Sequence, residues 1–537
     1  MIFSKHRTKG KEESLSLRLD ANKRTPVVTP KAEAVSAWGI HGFGGGAWDQ
    51  MPTPRRWLET NRDAAGMYPF ITGTASPTNG APIGYNILTG AGVAMDHLSL
   101  YKSNAITSPS AMVFGLNGYG KSSLSGLVAA AVNATGTPLA IFDPIKGEWA
   151  DFARAIGADV FQVGIRPGST KINPLDPGPL AVAGDYIGGA LGTELKENAF
   201  ANVSHNVVAL VRINRGRDRS ISDAESAMIK IAVEAVMRGQ QRPELMHILH
   251  FLKDPTREAL DAAGVETAES FRVAYQDLYR SISALALGEM SQVFGVDGVS
   301  INPGNPGGFC FDSSSIPVSL EKMISAVMIS TWRLGMNAID AHWELAEFEK
   351  RKQAEAAAEG EVYVPKYTWR GYSSLMDEFW YPVRMAEGMV QEVDRLSRTN
   401  RSVGVGEWKI THSPKDFLML ANEADRKIAH SLIEKCGLWV LMAMTQADLD
   451  ALSTIRHIEP TEASIVTGFM SGAQGLEQAA EFKGMDGSVY KSGKHTLPGA
   501  GKALWKVGDS LGIPVQSPKP ATLGRLHDTD TRFDKNS

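Results

Sequence analysis

The 537-residue sequence has few cysteines, no long apolar run and no marked excess of either charge. Cys310 and Cys436 lie far apart and outside any CxxC spacing, which argues against a structural zinc site or a disulfide framework and fits a reducing compartment. No apolar run approaches the roughly 18 to 20 residues needed to cross a bilayer, because a tryptophan and an arginine interrupt the best stretch, Met323 to Met336. Lys and Arg number 55 against 59 Asp and Glu, so the net charge of -4 does not identify a partner.

The N-terminal region is polar and rich in glycine and proline. Residues 1–36 are basic and have no apolar core, so we expect neither a signal peptide nor a membrane anchor, and we predict a flexible arm. Residues 37–100, with short apolar pieces among Gly, Pro, Thr and Asn, predict a small irregular or β-rich extension.

A strand–loop–helix–strand pattern begins near residue 101. The apolar run Ala111 to Phe114 precedes a glycine-rich turn, and the segment SSLSGLVAAAV then predicts a helix. The buried-strand pattern PLAIFDP follows one helix length later and completes a βαβ unit of a parallel sheet. We therefore predict an α/β fold with a mostly parallel, doubly wound sheet, whose first part spans residues 101–182.

The middle of the sequence changes to helical patterns. Residues 183–305 predict an inserted α-helical lobe, and Ser222 with Glu225 forms the pattern of a capping box. Strand patterns return over residues 306–487, which predict the second part of the sheet. Residues 488–537, rich in Gly, Pro and Lys, predict a tail that wraps the surface.

The segment Gly115 to Ser122 (GLNGYGKS) matches the phosphate-binding pattern GxxxxGK[ST] and lies between a predicted strand and a predicted helix. The glycines let backbone N–H groups turn towards phosphate oxygens, Lys121 is expected to reach the β and γ phosphates, and the Ser122 hydroxyl is expected to bind Mg²⁺. The residues predicted to bind ATP are Gly115, Asn117, Gly118, Tyr119, Gly120, Lys121, Ser122 and Ser123.

Two adjacent carboxylates end a later strand pattern. A phosphate loop requires a carboxylate from a neighbouring strand to hold the magnesium shell, and Asp377 is predicted to supply it. Glu378 directly follows and is predicted to orient and deprotonate the attacking water. The alternative is a solvated acidic turn.

Two polar pairs compete for contact with the γ-phosphate. Thr411 and His412 end one apolar run, whereas Thr445 and Gln446 end the next. The first pair is favoured because arginines immediately precede its strand, and such an arginine commonly reaches the nucleotide of a neighbouring subunit in ring ATPases. Those arginines are Arg395, Arg398 and Arg401, of which we take Arg398 and Arg401 as catalytic candidates. The alternative is a row of exposed arginines on a helix.

Together, several segments resemble the VirB/TraC-type motor ATPases of conjugative type IV secretion, in their actinobacterial form, within the wider HerA/FtsK superfamily. The segments that carry the resemblance are GLNGYGKSS, IFDPIKGEW (Ile141 to Trp149), KINPLD (Lys171 to Asp176), LMDEFW, THSPKD (Thr411 to Asp416), GKALWKVGDSLGIPVQ and DTDTRF. The sequence departs from the family at His412, where many relatives have glutamine.

The resemblance implies a RecA-like core with a helical insertion, a ring that is a hexamer of the chain itself, and a location at the cytoplasmic face of a secretion channel. It also implies that channel proteins, and DNA or a DNA–protein complex, are partners. The first hypothesis is thus an ATP-hydrolysing motor of a conjugation apparatus. The alternatives are a DNA-pumping translocase of the coupling-protein or HerA/FtsK type, and a nucleotide-gated assembly scaffold with negligible turnover, against which the carboxylate of Glu378 argues.

Overall fold

The computed structural model describes residues 15–19, 26–30, 76–216, 219–381, 390–391, 393–394, 404–418, 420, 422–470, 482–483, 489–490 and 499–520. The chain divides into two compact units, Met1–Ile71 and Thr72–Ser537. In the first unit, β1 (Leu15–Leu19) pairs antiparallel with β2 (Pro26–Pro30). Both strands lie within residues 1–36, for which a flexible arm stays a prediction. The segment LSLRL alternates leucine with polar residues, which is a strand pattern.

The second unit is built on one large sheet. Its strands are β3 (Pro82–Asn86), β4 (Gly92–Ala94), β5 (Ser110–Phe114), β6 (Leu139–Asp143), β7 (Asp159–Gln162), β8 (Gly308–Asp312), β9 (Tyr372–Met376), β10 (Val405–Thr411), β11 (Leu438–Leu441), β14 (Lys502–Val507) and β15 (Ile513–Gln516). A separate antiparallel pair is formed by β12 (Phe482–Lys483) and β13 (Val489–Tyr490). The order across the 11-stranded sheet is β4-β3-β15-β14-β11-β5-β10-β9-β6-β8-β7.

Neighbouring strands are parallel from β11 to β7 and antiparallel from β11 to β4. Every residue of β5, β6, β8, β9, β10 and β11 is buried, as expected for parallel strands covered on both faces. Alternate residues of β5 enter different cores, since Met112 and Phe114 pack on one face and Ala111 and Val113 on the other. The structure confirms the predicted α/β fold with a mostly parallel sheet.

Helices cover both faces of this sheet and form a lobe inserted between β7 and β8. The helices are α1 (His97–Lys102), α2 (Lys121–Ala134), α3 (Ala150–Ala155), α4 (Gly178–Ile187), α5 (Gly189–Arg215), α6 (Asp223–Gly239), α7 (Leu245–Lys253), α8 (Arg257–Ala263), α9 (Ala268–Ala274), α10 (Gln276–Leu287), α11 (Glu321–Ala358), α12 (Lys415–Leu418), α13 (Glu423–Glu434), α14 (Gln446–Ser453) and α15 (Pro460–Gly468). The capping box of Ser222 and Glu225 is present at the start of α6. Over the described residues, no helix is both long and apolar enough to span a membrane.

Two predicted boundaries differ from the structure. β3 and β4, which lie within residues 37–100, belong to the main sheet and not to a separate extension. The C-terminal region does not simply wrap the surface, because β14 lies between β11 and β15 inside the sheet and Trp505 is fully buried. The segment KALWKV contains only a short apolar run, Ala503 to Trp505, and the abundance of glycine, proline and lysine around it concealed that strand pattern.

Candidate functional site

The predicted site residues lie where three parallel strands end. β10 pairs with β5 on one side and with β9 on the other, so the carboxyl ends of these three strands meet at one edge of the sheet. The phosphate loop follows β5, Asp377 and Glu378 follow β9, and His412 follows β10. The topology thereby brings together residues that are far apart in the sequence, at the edge where open α/β sheets bind ligands.

The phosphate loop is a turn that glycine makes possible. Gly118 and Gly120 have φ of 85° and 93°, in the left-handed region that other residues rarely adopt, and helix α2 begins at Lys121 directly after the turn. A Cβ atom at Gly115 would lie 2.8 Å from the Cβ of Met442 on the neighbouring segment, so this position also has no room for a side chain. The loop therefore presents backbone N–H groups at the N-terminus of a 14-residue helix, which is a favourable place for phosphate.

Lys121 is buried and folds back over the loop. Its Nζ donates to the carbonyl oxygens of Gly115 at 2.7 Å and Leu116 at 3.2 Å, and it lies 3.0 Å from Nδ1 of His412. Burial, together with the like charge of Lys146, lowers the pKa of Lys121 to about 8. These contacts hold the ammonium group within the turn whose backbone is expected to surround phosphate.

Asp377 is buried at the end of β9 and accepts two hydrogen bonds. The indole N–H of Trp149 donates to Oδ2 at 3.2 Å, and the backbone N–H of Glu378 donates to Oδ1 at 2.9 Å. Burial raises the pKa of Asp377, although the nearby positive charge of Lys146 opposes this shift. Asp377 is therefore a deeply placed carboxylate, unlike an acidic residue on a solvated turn.

Glu378 has an unusual backbone conformation and three side-chain partners. Its φ of 47° is in the left-handed region, a strained conformation that is common at functional sites. Oε1 lies 3.1 Å from Nζ of Lys146 and 2.9 Å from Nε2 of His412, and Oε2 accepts a hydrogen bond from the Trp380 indole at 2.8 Å. Burial acts to raise the pKa of Glu378, but His412 and Lys146 outweigh it and hold the pKa at about 2.

Of the two polar pairs considered for contact with the γ-phosphate, the first includes a residue in the site. His412 lies between Lys121 and Glu378 and contacts both. The Thr411 hydroxyl is buried and has no hydrogen-bond partner among the described residues. Thr445 caps α14, and Gln446 donates to Asp450 on the same helix. The second pair is therefore engaged in its own helix.

The predicted arginines Arg395, Arg398 and Arg401 lie outside the described residues. Their assignment therefore stays a prediction.

Sequence reasoning missed a loop that contacts the site. Asp143 ends β6, which pairs with β9, and the residues after it reach Asp377 and Glu378 through Trp149 and Lys146. Burial and the charge of Asp377 raise the pKa of Asp143 to about 7. The available signal was the segment IFDPIKGEW, which carries charged residues directly after a buried strand.

The oxygen atoms near the phosphate loop fit Mg²⁺. Ser122 directly follows Lys121 at the start of α2, and the buried carboxylate of Asp377 is close enough to Lys121 to act on its charge. Within the described ranges no three His, Cys, Asp or Glu residues form a metal cluster. That result is compatible with Mg²⁺, since this ion is usually held by one or two protein oxygens together with substrate phosphates and water.

The fold also occurs in solved structures. The structure of VirB4 of Thermoanaerobacter pseudethanolicus is similar over 84% of this chain and 98% of its own, with a TM-score of 0.53 and 15% sequence identity. The chain has the fold of VirB4. The plasmid coupling protein TrwB in complex with the non-hydrolysable ATP analogue ADPNP is similar over 78% of this chain and 86% of its own, with a TM-score of 0.46 and 13% identity. No protein-family profile and no curated protein sequence matches the chain.

Proposed function

We propose that the chain is an ATP-hydrolysing motor that energises conjugative DNA transfer or type IV secretion. The observation that carries the proposal is the meeting of the phosphate-loop lysine Lys121 with Glu378 through His412, at the carboxyl edge of a parallel sheet. The likeness to VirB4 in fold, together with the resemblance of the motifs, supports the conjugative role. In this role the chain forms a ring with copies of itself and works with channel proteins and DNA at a membrane.

Each residue has a distinct task in the proposed reaction. Lys121 binds the β and γ phosphates, and the N–H groups from Gly115 to Ser123 surround them. Glu378 orients the attacking water and accepts its proton, while His412 contacts the γ-phosphate. Ser122 and Asp377 would hold Mg²⁺, which neutralises charge that develops on the phosphate oxygens.

The catalytic part of this proposal is tested by the substitution Lys121→Ala. We expect ATP turnover to fall at least about 100-fold, because a cation that stabilises charge on the transferring phosphoryl group is lost. The measurement is phosphate release by the purified full chain with Mg²⁺. The matched control is Lys350→Ala, since Lys350 is an exposed residue of α11 outside the site.

Two results would reject the proposed activity. One is turnover by Lys121→Ala within about twofold of the wild-type protein, because the phosphate loop would then not be the reaction site. The other is a wild-type chain that binds ATP and releases no phosphate above background. That second result would favour the nucleotide-gated scaffold.

A further inference from the structure

The loop that follows β6 contacts two different groups of the proposed site. It runs from Asp143 to Trp149 and is called here the 143–149 loop. We propose that the 143–149 loop is a positioning element in which Trp149 and Lys146 each hold a different carboxylate of the site in place. The inference rests on the proposed function, because it assigns tasks to the surroundings of that same site.

Trp149 holds the carboxylate of Asp377. Its side chain is fully buried, with 0% of its surface exposed, and its indole N–H lies 3.2 Å from Asp377 Oδ2. Its backbone N–H donates to Oδ2 of Asp143 at 3.1 Å. Trp149 thereby donates hydrogen bonds to two buried carboxylates at the ends of neighbouring strands. Without such donors, burial of a charged carboxylate would destabilise the folded protein. The indole also restricts the direction in which Asp377 can point.

Lys146 holds the carboxylate of Glu378. Its Nζ lies 3.1 Å from Oε1 of Glu378, and 30% of the lysine side chain is exposed compared with 5% of the glutamate side chain. The backbone N–H of Lys146 donates to Oδ1 of Asp143 at 3.2 Å, which fixes the lysine to the end of β6. The ammonium group therefore approaches Glu378 from an anchored backbone and orients a residue that sequence reasoning assigns as the base.

These contacts predict separate effects, and the most specific is that of Trp149→Phe. This change keeps an aromatic ring against Phe152, whose ring centroid lies 5.8 Å from that of Trp149, and removes the indole N–H. Loss of a donor that hydrogen-bonds to a metal ligand typically costs about 10- to 100-fold in metal affinity. We expect Trp149→Phe to weaken the Mg²⁺ dependence of ADP binding at least about tenfold, while ADP affinity in EDTA changes less than about twofold.

The experiment measures binding of a fluorescent ADP analogue to the full chain across a Mg²⁺ titration and again in EDTA. The matched control is Trp439→Phe, which removes another fully buried indole N–H, one that donates to the Ile433 carbonyl at 3.1 Å. A third variant, Lys146→Met, should lower kcat at least about tenfold, because it removes the ion pair that holds the Glu378 carboxylate.

The loop proposal is overturned if Trp149→Phe alters the Mg²⁺ titration no more than Trp439→Phe does. It is equally overturned if Trp149→Phe weakens binding as much in EDTA as in Mg²⁺, since that pattern indicates general damage to the fold. Failure of the proposed function looks different, because the wild-type chain would then lack Mg²⁺-dependent nucleotide binding or turnover before any substitution is made.

Discussion

His412 connects the two groups on which the proposed reaction depends. Its Nδ1 lies 3.0 Å from Lys121 Nζ and its Nε2 lies 2.9 Å from Glu378 Oε1, so the imidazole ring bridges a cation and an anion. A bound phosphate that attracts Lys121 would change the contact between Lys121 and His412. Through its second ring nitrogen, His412 would pass this change on to Glu378. A polar residue of similar reach is therefore required at this position.

Substitution of His412 distinguishes this bridging role from simple packing. We expect His412→Leu to lower kcat about 10- to 100-fold with ATP affinity changed by less than about threefold, because Glu378 loses an orienting hydrogen bond. His412→Gln should recover much of the rate, since its amide can both donate and accept. The measurement is steady-state turnover beside equilibrium ATP binding. Equal loss of rate in both variants would show that the hydrogen bonds of His412 have no role.

At the same scale, the sequence predicted Lys121, Asp377 and Glu378 because each belongs to a local pattern next to a strand. It did not predict that Lys146 and Trp149 contact Glu378 and Asp377. Those contacts depend on the pairing of β6 with β9, and no local pattern specifies which strands become neighbours. The sequence favoured the pair that contains His412, but its contacts with Lys121 and Glu378 depend on the position of β10 between β5 and β9.

The C-terminal strands show how an element can be concealed by its composition. β14 lies between β11 and β15. Its residues Ala503 and Trp505 enter the core on the face that also contains Trp408, whose ring centroid is 6.0 Å from that of Trp505. On the same strand, Lys506 forms a buried ion pair with Glu462 of α15. A prediction from overall composition gives little weight to a six-residue strand that contains only three consecutive apolar residues. The parallel strands β5, β6 and β11 were easier to identify because continuous apolar runs mark them.

Trp505→Ala tests whether β14 is an integral part of the fold. We expect the free energy of unfolding to fall by about 3 to 5 kcal/mol, because removing a fully buried aromatic side chain leaves a cavity. Urea denaturation of the full chain measures the change. Leu511→Ala is the control in the same hairpin, since 57% of Leu511 is exposed and its loss should cost less than about 0.5 kcal/mol. Similar effects of both substitutions would contradict the place of β14 in the core.

At the scale of the whole molecule, the proposed motor combines a nucleotide site with the ability to act on a macromolecule. The helical lobe from α4 to α10 is inserted between β7 and β8, whereas the site lies at the ends of β5, β9 and β10. In the predicted ring, hydrolysis also requires an arginine from a neighbouring copy of the chain. Arg398 and Arg401 are the predicted candidates. Where such arginines act they contribute about 10³- to 10⁵-fold in rate.

In the proposed reaction, Glu378 accepts the proton of the water that attacks ATP at the phosphate loop. The most direct test measures ATP affinity and phosphate release on the same preparations of wild-type protein and Glu378→Gln. Since the amide keeps the shape of the side chain but does not accept the proton of water, we expect affinity to stay within about threefold and turnover to fall at least about 100-fold. A Glu378→Gln protein that hydrolyses ATP within about twofold of the wild-type rate would contradict the claim.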